Sequence, residues 1–536
     1  MTNKADNKLH YRNTTIAAQA QEKAAATPDA VAVYLESGEH ITFGAILDEA
    51  RRLAVSLRDL GLVAGDVVSF QLPNWREAVA LDIAASLLGL VVNPVIPIYR
   101  DRELAFILDD AAAKVLFIPD RFRNFDYPEM VRRLRPDLPN LAQVVVVRRE
   151  RDHGDMLDYR ALVDGADGGR LRPAAVDPDS VKIVMYTSGT TGRAKAVRHS
   201  HNTLARALDN TREAWGLSAA DVMLMPSPVT HITGFANGIE MPFFTDTRSA
   251  FMERWDVDLA IDYIERVGAT LCISATPFLQ ELVQRAAERG LTLPSLRIFA
   301  CGGASVPPTL IRDTHRVLDN CRAFRVYGST EAPLVTVGFL KPEEEALAAE
   351  TDGRYFNWEV EVIDDNGQVL PLGRDGEITV RGPAMMLGYG DEAQTRDAFT
   401  PRGFFLTGDI GHLTPEGAIV ITDRKKDIII RGGENLSARE IEDVLYAHPD
   451  IQEVAVVAMP HERLGEGVCA CVVPRPGAEP LSLDALKPFL AENRLAKQKW
   501  PERIELHAEL PKTASGKVRK DLLRKDLWQR LAGPGR

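Results

Sequence analysis

Cysteine is scarce in this chain, with five in 536 residues. Cys272, Cys301, Cys321, Cys469 and Cys471 form no C-x-x-C pair, so they point to neither a disulfide framework nor a zinc site. Cys469 and Cys471 alternate within an apolar, strand-like run, which reads as core packing and fits a reducing compartment. Excess basic charge is also missing. With 64 Lys and Arg against 76 Asp and Glu, the net charge is −12, which excludes broad nucleic-acid binding through a basic surface. Long uninterrupted apolar runs are absent too. The longest, Ala78 to Tyr99, holds Asp82, Asn93, Pro94 and Pro97, and reads as a buried helix followed by an extended segment, not a membrane span. Met1 to Asn13 lacks the apolar core of a signal peptide, and nothing resembles a lipidation signal. No internal repeat is visible. A cytoplasmic protein is the expectation.

What is present is the composition of a large globular protein, 45% hydrophobic and 26% charged. The length favours two or more domains. Ile46, Ala50, Leu53, Leu57 and Leu60 recur at helical spacing until Gly61 stops them. Val67–Phe70 then reads as a strand, and Ala78–Leu88 as a helix. Val115–Ile118 and Val144–Val147 add buried strands, and the alternation continues through helices at His201–Trp215, Ile261–Val267 and Phe278–Ala287. This alternation predicts an α/β fold. The charged run Asp423 to Asp427 separates two apolar strands and is the best internal boundary. It divides residues 1–425 from a small unit of 426–536. That unit opens with a capping box, Ser437 to Glu440, and contains a helix from Ser482 to Asn493 that Pro488 should kink or shorten.

One stretch carries the strongest chemical signal. Tyr186-Thr187-Ser188-Gly189-Thr190-Thr191-Gly192-Arg193-Ala194-Lys195 lies between two apolar strands and packs two glycines, four Ser/Thr hydroxyls and one lysine into ten positions. Glycines allow turns that aim successive N–H groups at one centre; the hydroxyls add donors, and Lys195 adds a mobile positive charge. The sum suits a phosphate chain, although a Gly/Ser/Thr surface turn has the same composition. It is not a Walker A loop, because Lys195 follows Gly192 by three residues and no Ser or Thr comes next.

Further stretches admit two readings each. Tyr327-Gly328-Ser329-Thr330-Glu331 follows a strand. Tyr327 offers a flat face for a purine, Thr330 a hydroxyl for an α-phosphate, and Glu331 a hard oxygen for Mg²⁺; structurally it is a turn with an exposed Glu. Asp409, in Phe405-Leu-Thr-Gly-Asp409, can accept from two ribose hydroxyls or simply close a hairpin. Arg424 and Lys426 fall in a charge run that would otherwise be solvated surface. Arg431-Gly432-Gly433-Glu434-Asn435 is a tight turn, or a loop past which a narrow arm can slide. Lys517 is a lysine near the C-terminus, and His231 a lone histidine.

Taken in order, these stretches resemble the motifs of the adenylate-forming enzymes, which comprise acyl-CoA synthetases, peptide-synthetase adenylation domains and luciferases. The resemblance runs from Tyr186 to Lys517, with Ala194 where the family usually has Pro and Phe405 where it has Tyr. It implies two α/β subdomains plus a distorted β-barrel, followed by a small mobile α+β domain. It implies ATP, Mg²⁺ and coenzyme A as co-reactants and a carboxylic acid as substrate, which attacks the α-phosphate to give acyl-AMP before a thiol takes the acyl group. In that scheme Lys517, Thr330, Glu331 and His231 act at the reacting centre, with Glu331 on the metal. The 187–192 loop, Lys195, Gly303, Ala304, Tyr327, Gly328, Ser329, Asp409 and Arg424 hold the nucleotide. Gly432 and Gly433 line the pantetheine path, and Lys426 is the hinge. His231, Thr233, Phe235, Gly302 and Gly303 line the acyl pocket, with His231 as its gate. Met225–Phe235, Ser274–Phe278 and Cys301–Pro307 look most like short- to medium-chain or alicyclic carboxylate–CoA ligases, which implies a fatty, alicyclic or aromatic acyl group. A ligase that loads a carrier protein would use the same residues. A homodimer is compatible with the resemblance.

Overall fold

The computed structural model describes residues 11–187, 194–303, 306–432, 434–478, 481–513 and 517–531. Two large sheets form the N-terminal part. The first has seven strands in the order Arg322–Val326, Ile298–Gly302, Leu271–Ser274, Val222–Met225, Arg248–Phe251, Val31–Leu35 and His40–Thr42. All pairs are parallel except the last, a hairpin. The second has eight, running Gly388–Tyr389, Lys195–Ser200, Val181–Thr187, Val91–Pro94, Val67–Phe70, Ala113–Pro119, Gln143–Val147 and Leu157–Asp158. It is parallel through its centre and antiparallel where Lys195–Ser200 pairs with its two neighbours. Parallel strands need helical crossovers that bury both faces, and the apolar runs of Val144–Val147 and Leu271–Cys272 are fully buried accordingly.

The helices follow the sequence pattern closely. Phe43–Asp59 starts where the Thr42 hydroxyl accepts from Ala45 N–H at 3.2 Å, and it buries Ile46, Ala50, Leu53 and Leu57 on one face. Ser482 caps Leu483–Glu492 in the same way. That helix runs through Pro488 and covers nearly the whole expected span, so the expected shortening does not occur. Pro488 removes one intrahelical hydrogen bond and crowds the Asp484 carbonyl, and burial of Leu486 and Leu490 in the small domain's core offsets both. The Ser437–Glu440 box is half formed. The Ser437 hydroxyl accepts from Glu440 N–H at 3.1 Å, while the Glu440 carboxylate is taken by Lys499 at 2.5 Å.

A third sheet, Glu359–Ile363, Gly376–Arg381, Phe405–Leu413 and Ile419–Arg424, is an antiparallel meander. Among the described residues its outer strands do not pair, so the expected distorted barrel is an open sheet. The small C-terminal domain builds its own sheet around the long hairpin Ile451–His461/Gly465–Pro474, with cores on both faces. Cys469 and Cys471 are buried in one of those cores, as expected, and all five cysteines are free. Among the described residues no helix is long and apolar enough to cross a membrane.

Candidate active site

A cavity of about 1190 Å³ opens where the carboxyl ends of both parallel sheets meet. Met185 to Thr187 reach it from one sheet, and Ser274, Gly302 and Val326 from the other. The third sheet supplies Asp409 and Arg424, and the small domain supplies Lys517. Residues separated by more than 300 positions thus share one wall.

The structure brings together Thr187, Lys195, His231, Thr233, Gly302, Gly303, Tyr327, Gly328, Ser329, Thr330, Glu331, Asp409, Arg424, Lys426 and Lys517 around this cavity. Ser188, Gly189, Thr190, Thr191, Gly192, Ala304 and Gly433 lie outside the described residues. One expectation needs correction. Phe235 is fully buried beneath the cavity and is not on its wall. It begins a π-helix, Phe235–Glu240, whose wide turn directs Ala236 and Asn237 to the wall instead. Gly302 borders the cavity, but a Cβ there would lie 2.4 Å from the Val326 carbonyl oxygen. Close strand packing, not the ligand, demands that glycine. Gly432 does not border the cavity; it turns at φ +61°, and a Cβ there would face Leu464.

At one side of the cavity, three side chains are interlocked. The Tyr327 hydroxyl donates to Asp409 Oδ2 at 2.6 Å, and Arg424 Nε pairs with Asp409 Oδ1 at 3.0 Å. Burial and the adjacent Asp409 charge push the Tyr327 phenol well above its usual range, so it remains a donor. Each Asp409 oxygen keeps a second lone pair for a further donor.

The Lys517 side chain lies across Gly303, near enough to Arg424 and Asp409 to feel both charges. Burial, and then Arg424, draw its ammonium down to about 8, against the pull of Asp409 and Glu331. His231 is neutral: burial, with the charge of Lys517, lowers it to about 3. Its Nδ1 accepts from Thr233 N–H at 3.4 Å and caps the turn that opens the π-helix. A neutral, capping imidazole suits a gate better than a proton carrier.

Sequence reasoning missed two supporting residues. The Tyr389 hydroxyl donates to Glu331 Oε1 at 2.9 Å, and its ring lies under the Lys195 ammonium at 4.8 Å. Tyr389 therefore links Lys195 to the Glu331 carboxylate; its place between Gly388 and Gly390 is the one local sign of it in the sequence. His199 Nε2 donates to the Thr330 carbonyl at 2.7 Å and, held neutral at about 4 by burial, fixes that turn. Among the described residues no group of three or more His, Cys, Asp or Glu converges as a metal cage. Glu331 as a single carboxylate fits Mg²⁺, which is commonly held by one or two carboxylates together with substrate phosphates.

Fold and cavity together define an adenylate-forming α/β ligase. The AMP-binding enzyme family matches residues 20–390, its C-terminal domain matches residues 440–517, and the chain belongs to that family. The chain is 36% identical over 515 residues to the medium-chain fatty-acid–CoA ligase of Escherichia coli strain K12, covering 95% of this chain and 90% of that one. It is 30% identical over 515 residues to the 2,3-dihydroxybenzoate-AMP ligase of Bacillus subtilis strain 168, covering 95% and 93%. Among solved structures, ATP-bound MatB from Rhodopseudomonas palustris superposes with a TM-score of 0.85 at 27% identity, covering 96% of this chain and 99% of that one.

Proposed function

We propose that this protein is an AMP-forming carboxylate–CoA ligase that activates an apolar acid, medium-chain fatty, alicyclic or aromatic. The observation that carries this reading is the meeting of Lys517, Glu331 and the Asp409–Arg424 pair in one cavity beside a mostly apolar wall. Ala207, Leu208, Ala236, Ile273 and Val326 form much of that wall.

The roles follow from position. The Tyr327 ring offers its face to adenine, and Asp409 accepts from the ribose hydroxyls while Arg424 holds the carboxylate in place. Thr187 and Lys195, with the loop between them, receive the phosphate chain. Mg²⁺ held by Glu331 would neutralise phosphate charge when bound. Lys517 steers the acid's carboxylate toward the α-phosphate and balances the charge that gathers there. His231, neutral and anchored by Thr233, closes the acyl end without exchanging protons. Alignment of the two reactants in a partly enclosed cavity supplies the remaining acceleration.

The thioester step uses a second orientation of residues 426–536 about Lys426. Lys517 borders the cavity and Gly432 does not, which supports separate faces for the two half-reactions. A panel of carboxylic acids incubated with ATP, Mg²⁺ and CoA, with AMP and thioester followed by chromatography, tests the reading. AMP without a CoA thioester, together with transfer to a carrier protein's pantetheine, would replace it with the carrier-loading alternative.

A further inference from the structure

Behind the acyl wall, three ionisable side chains meet with almost no solvent access. Lys182 Nζ lies 2.7 Å from Asp82 Oδ1 and 2.5 Å from Glu240 Oε1, and the side chains are 2%, 0% and 1% exposed, respectively. The ammonium also sits 4.7 Å from the centre of the Phe235 ring. Two carboxylates crowd one cation. Burial pushes Glu240 up to about 7 against the pull of Lys182, while the two carboxylates keep Lys182 charged in spite of its burial. Lys182 donates a hydrogen bond to Asp82 Oδ1, whereas Asp82 Oδ2 and both Glu240 oxygens have no hydrogen-bond partner, so Glu240 is held by the charge of Lys182. Such clusters are a weak source of net stability, since apolar replacements of similar volume often do as well. Their more specific use is to fix one arrangement among several.

Here two of the three joined elements lead to the cavity. Lys182 is the second residue of Val181–Thr187, whose far end carries Met185 to Thr187 into the site. Asp82 stands in the buried helix Arg76–Leu88. Glu240 ends the π-helix that presents Ala236 and Asn237. A π-turn holds one residue more than the α-helix it replaces, and its relaxation to α geometry turns the following residues by about 100° about the axis. The Ser249 hydroxyl, which donates to the Gly238 carbonyl at 2.7 Å, holds the middle of that register, and Glu240 holds its end. Gly238 lies in its middle, and the Asn237 side chain bonds back to the Thr233 carbonyl at 2.9 Å.

We propose that Lys182 and Glu240 are positioning residues for acid selection: their buried ion pair, seated on Asp82, clamps residues 235–240 in π-helical register and so fixes Ala236 and Asn237 on the acyl wall. The inference rests on the ligase reading for its substrate, but not for its geometry. Neither residue touches the reacting atoms, and neither borders the cavity.

The test pairs a structural measurement with a kinetic one. In Glu240→Gln, amide hydrogen exchange over residues 235–245 is expected to quicken by about 10-fold or more, while the strand 271–274 stays at the wild-type rate. The ratio of kcat/KM for cyclohexanecarboxylate to that for propionate is expected to move by about 10-fold, the scale of a methylene-sized change in a pocket. KM for ATP should stay within about 2-fold of wild type. If Glu240→Gln does not fold, the triple variant Asp82→Asn/Lys182→Met/Glu240→Gln removes the three charges together and carries the same measurements. A folded variant with unchanged exchange, or with all acids slowed by one common factor, overturns the proposal and leaves the cluster a purely structural one. A wild-type protein that activates no acid refutes the ligase reading separately, and exchange then decides the clamp alone.

Discussion

The side chain of Lys517 lies across Gly303 so closely that a Cβ on the glycine would stand 3.2 Å from Lys517 Cε. Gly303 is also held at φ +81°, where any other residue is strained. One glycine thus serves two ends: it permits the turn after the strand Ile298–Gly302, and it leaves room for a lysine that arrives from the other domain.

Gly303→Ala tests that relationship. Backbone strain of about 1–3 kcal/mol and a displaced lysine should slow acyl-AMP formation by roughly 10-fold or more. The loss should be similar for small and large acids, because the new methyl faces Lys517. Pyrophosphate release measured across the acid panel checks this. Selective loss of bulky acids only would mean that position 303 is a wall of the acyl pocket instead.

The lowered ammonium of Lys517 makes adenylation pH-dependent. The charged form is the useful one, and burial with Arg424 brings it down to about 8. The adenylation rate should therefore be full below that value and fall as pH rises through it. Lys517→Arg keeps its charge to far higher pH, so the falling limb should disappear from the range up to about 10 even if the overall rate is reduced. A pH profile of pyrophosphate release for both proteins decides. An unmoved limb in the Arg variant would assign the titration to another group.

Asp409 is the hinge pin of the nucleotide end, since Tyr327 and Arg424 both depend on it. Asp409→Ala should weaken ATP binding by more than its own ribose bonds, about 1.5–3 kcal/mol each, because the Arg424 guanidinium loses its partner. Tyr327→Phe removes a single hydroxyl and keeps the ring, so it should weaken ATP by only about 0.5–1.5 kcal/mol. Calorimetric titration with ATP in the two variants gives the order. Equal affinities for wild type and Asp409→Ala would remove Asp409 from the site.

Much of this was legible in the sequence because it is local. The strand ends that carry Thr187 and Gly302 are short, mostly apolar runs followed by Gly and hydroxyl residues, and both signals survive without tertiary context. The helix faces follow from 3.6-residue spacing, as with Ile46, Ala50, Leu53 and Leu57. The buried cluster was not legible. Asp82 and Lys182 are 100 residues apart, and each reads as a lone charge interrupting an apolar run. The π-helix was hidden for a related reason. Its extra residue is set by what Glu240 reaches, so Phe235 was expected on the pocket wall when it faces the core. Tyr389 was missed because its partners, Glu331 and Lys195, come from different segments.

An ion pair joins the small domain to the large one, beside hydrogen bonds from the Ser437 hydroxyl to the Thr422 carbonyl at 2.6 Å and from Ala438 N–H to Asp423 at 2.7 Å. Arg439, at the start of the helix Ala438–Tyr446, reaches Asp352 of the large domain at 3.0 Å, and both side chains are largely buried. Asp352 also accepts from Ile421 N–H at 2.9 Å, so its carboxylate stays fixed when the arginine leaves. The pair exists in the orientation that brings Lys517 to Gly303. The rotation proposed about Lys426 would have to break it. Arg439→Met keeps the apolar stem and deletes the charge, which disfavours this orientation relative to the other. Breaking one partner of a buried pair is worth up to about 3–5 kcal/mol, and only the part not recovered by solvating Asp352 shifts the balance. Acyl-AMP formation should therefore slow by about 10-fold, while thioester formation from synthetic acyl-AMP should hold its rate or rise. Pyrophosphate release and thioester yield, measured separately, give the two numbers. Equal slowing of both half-reactions would show that Arg439 supports folding of the small domain and does not select its orientation.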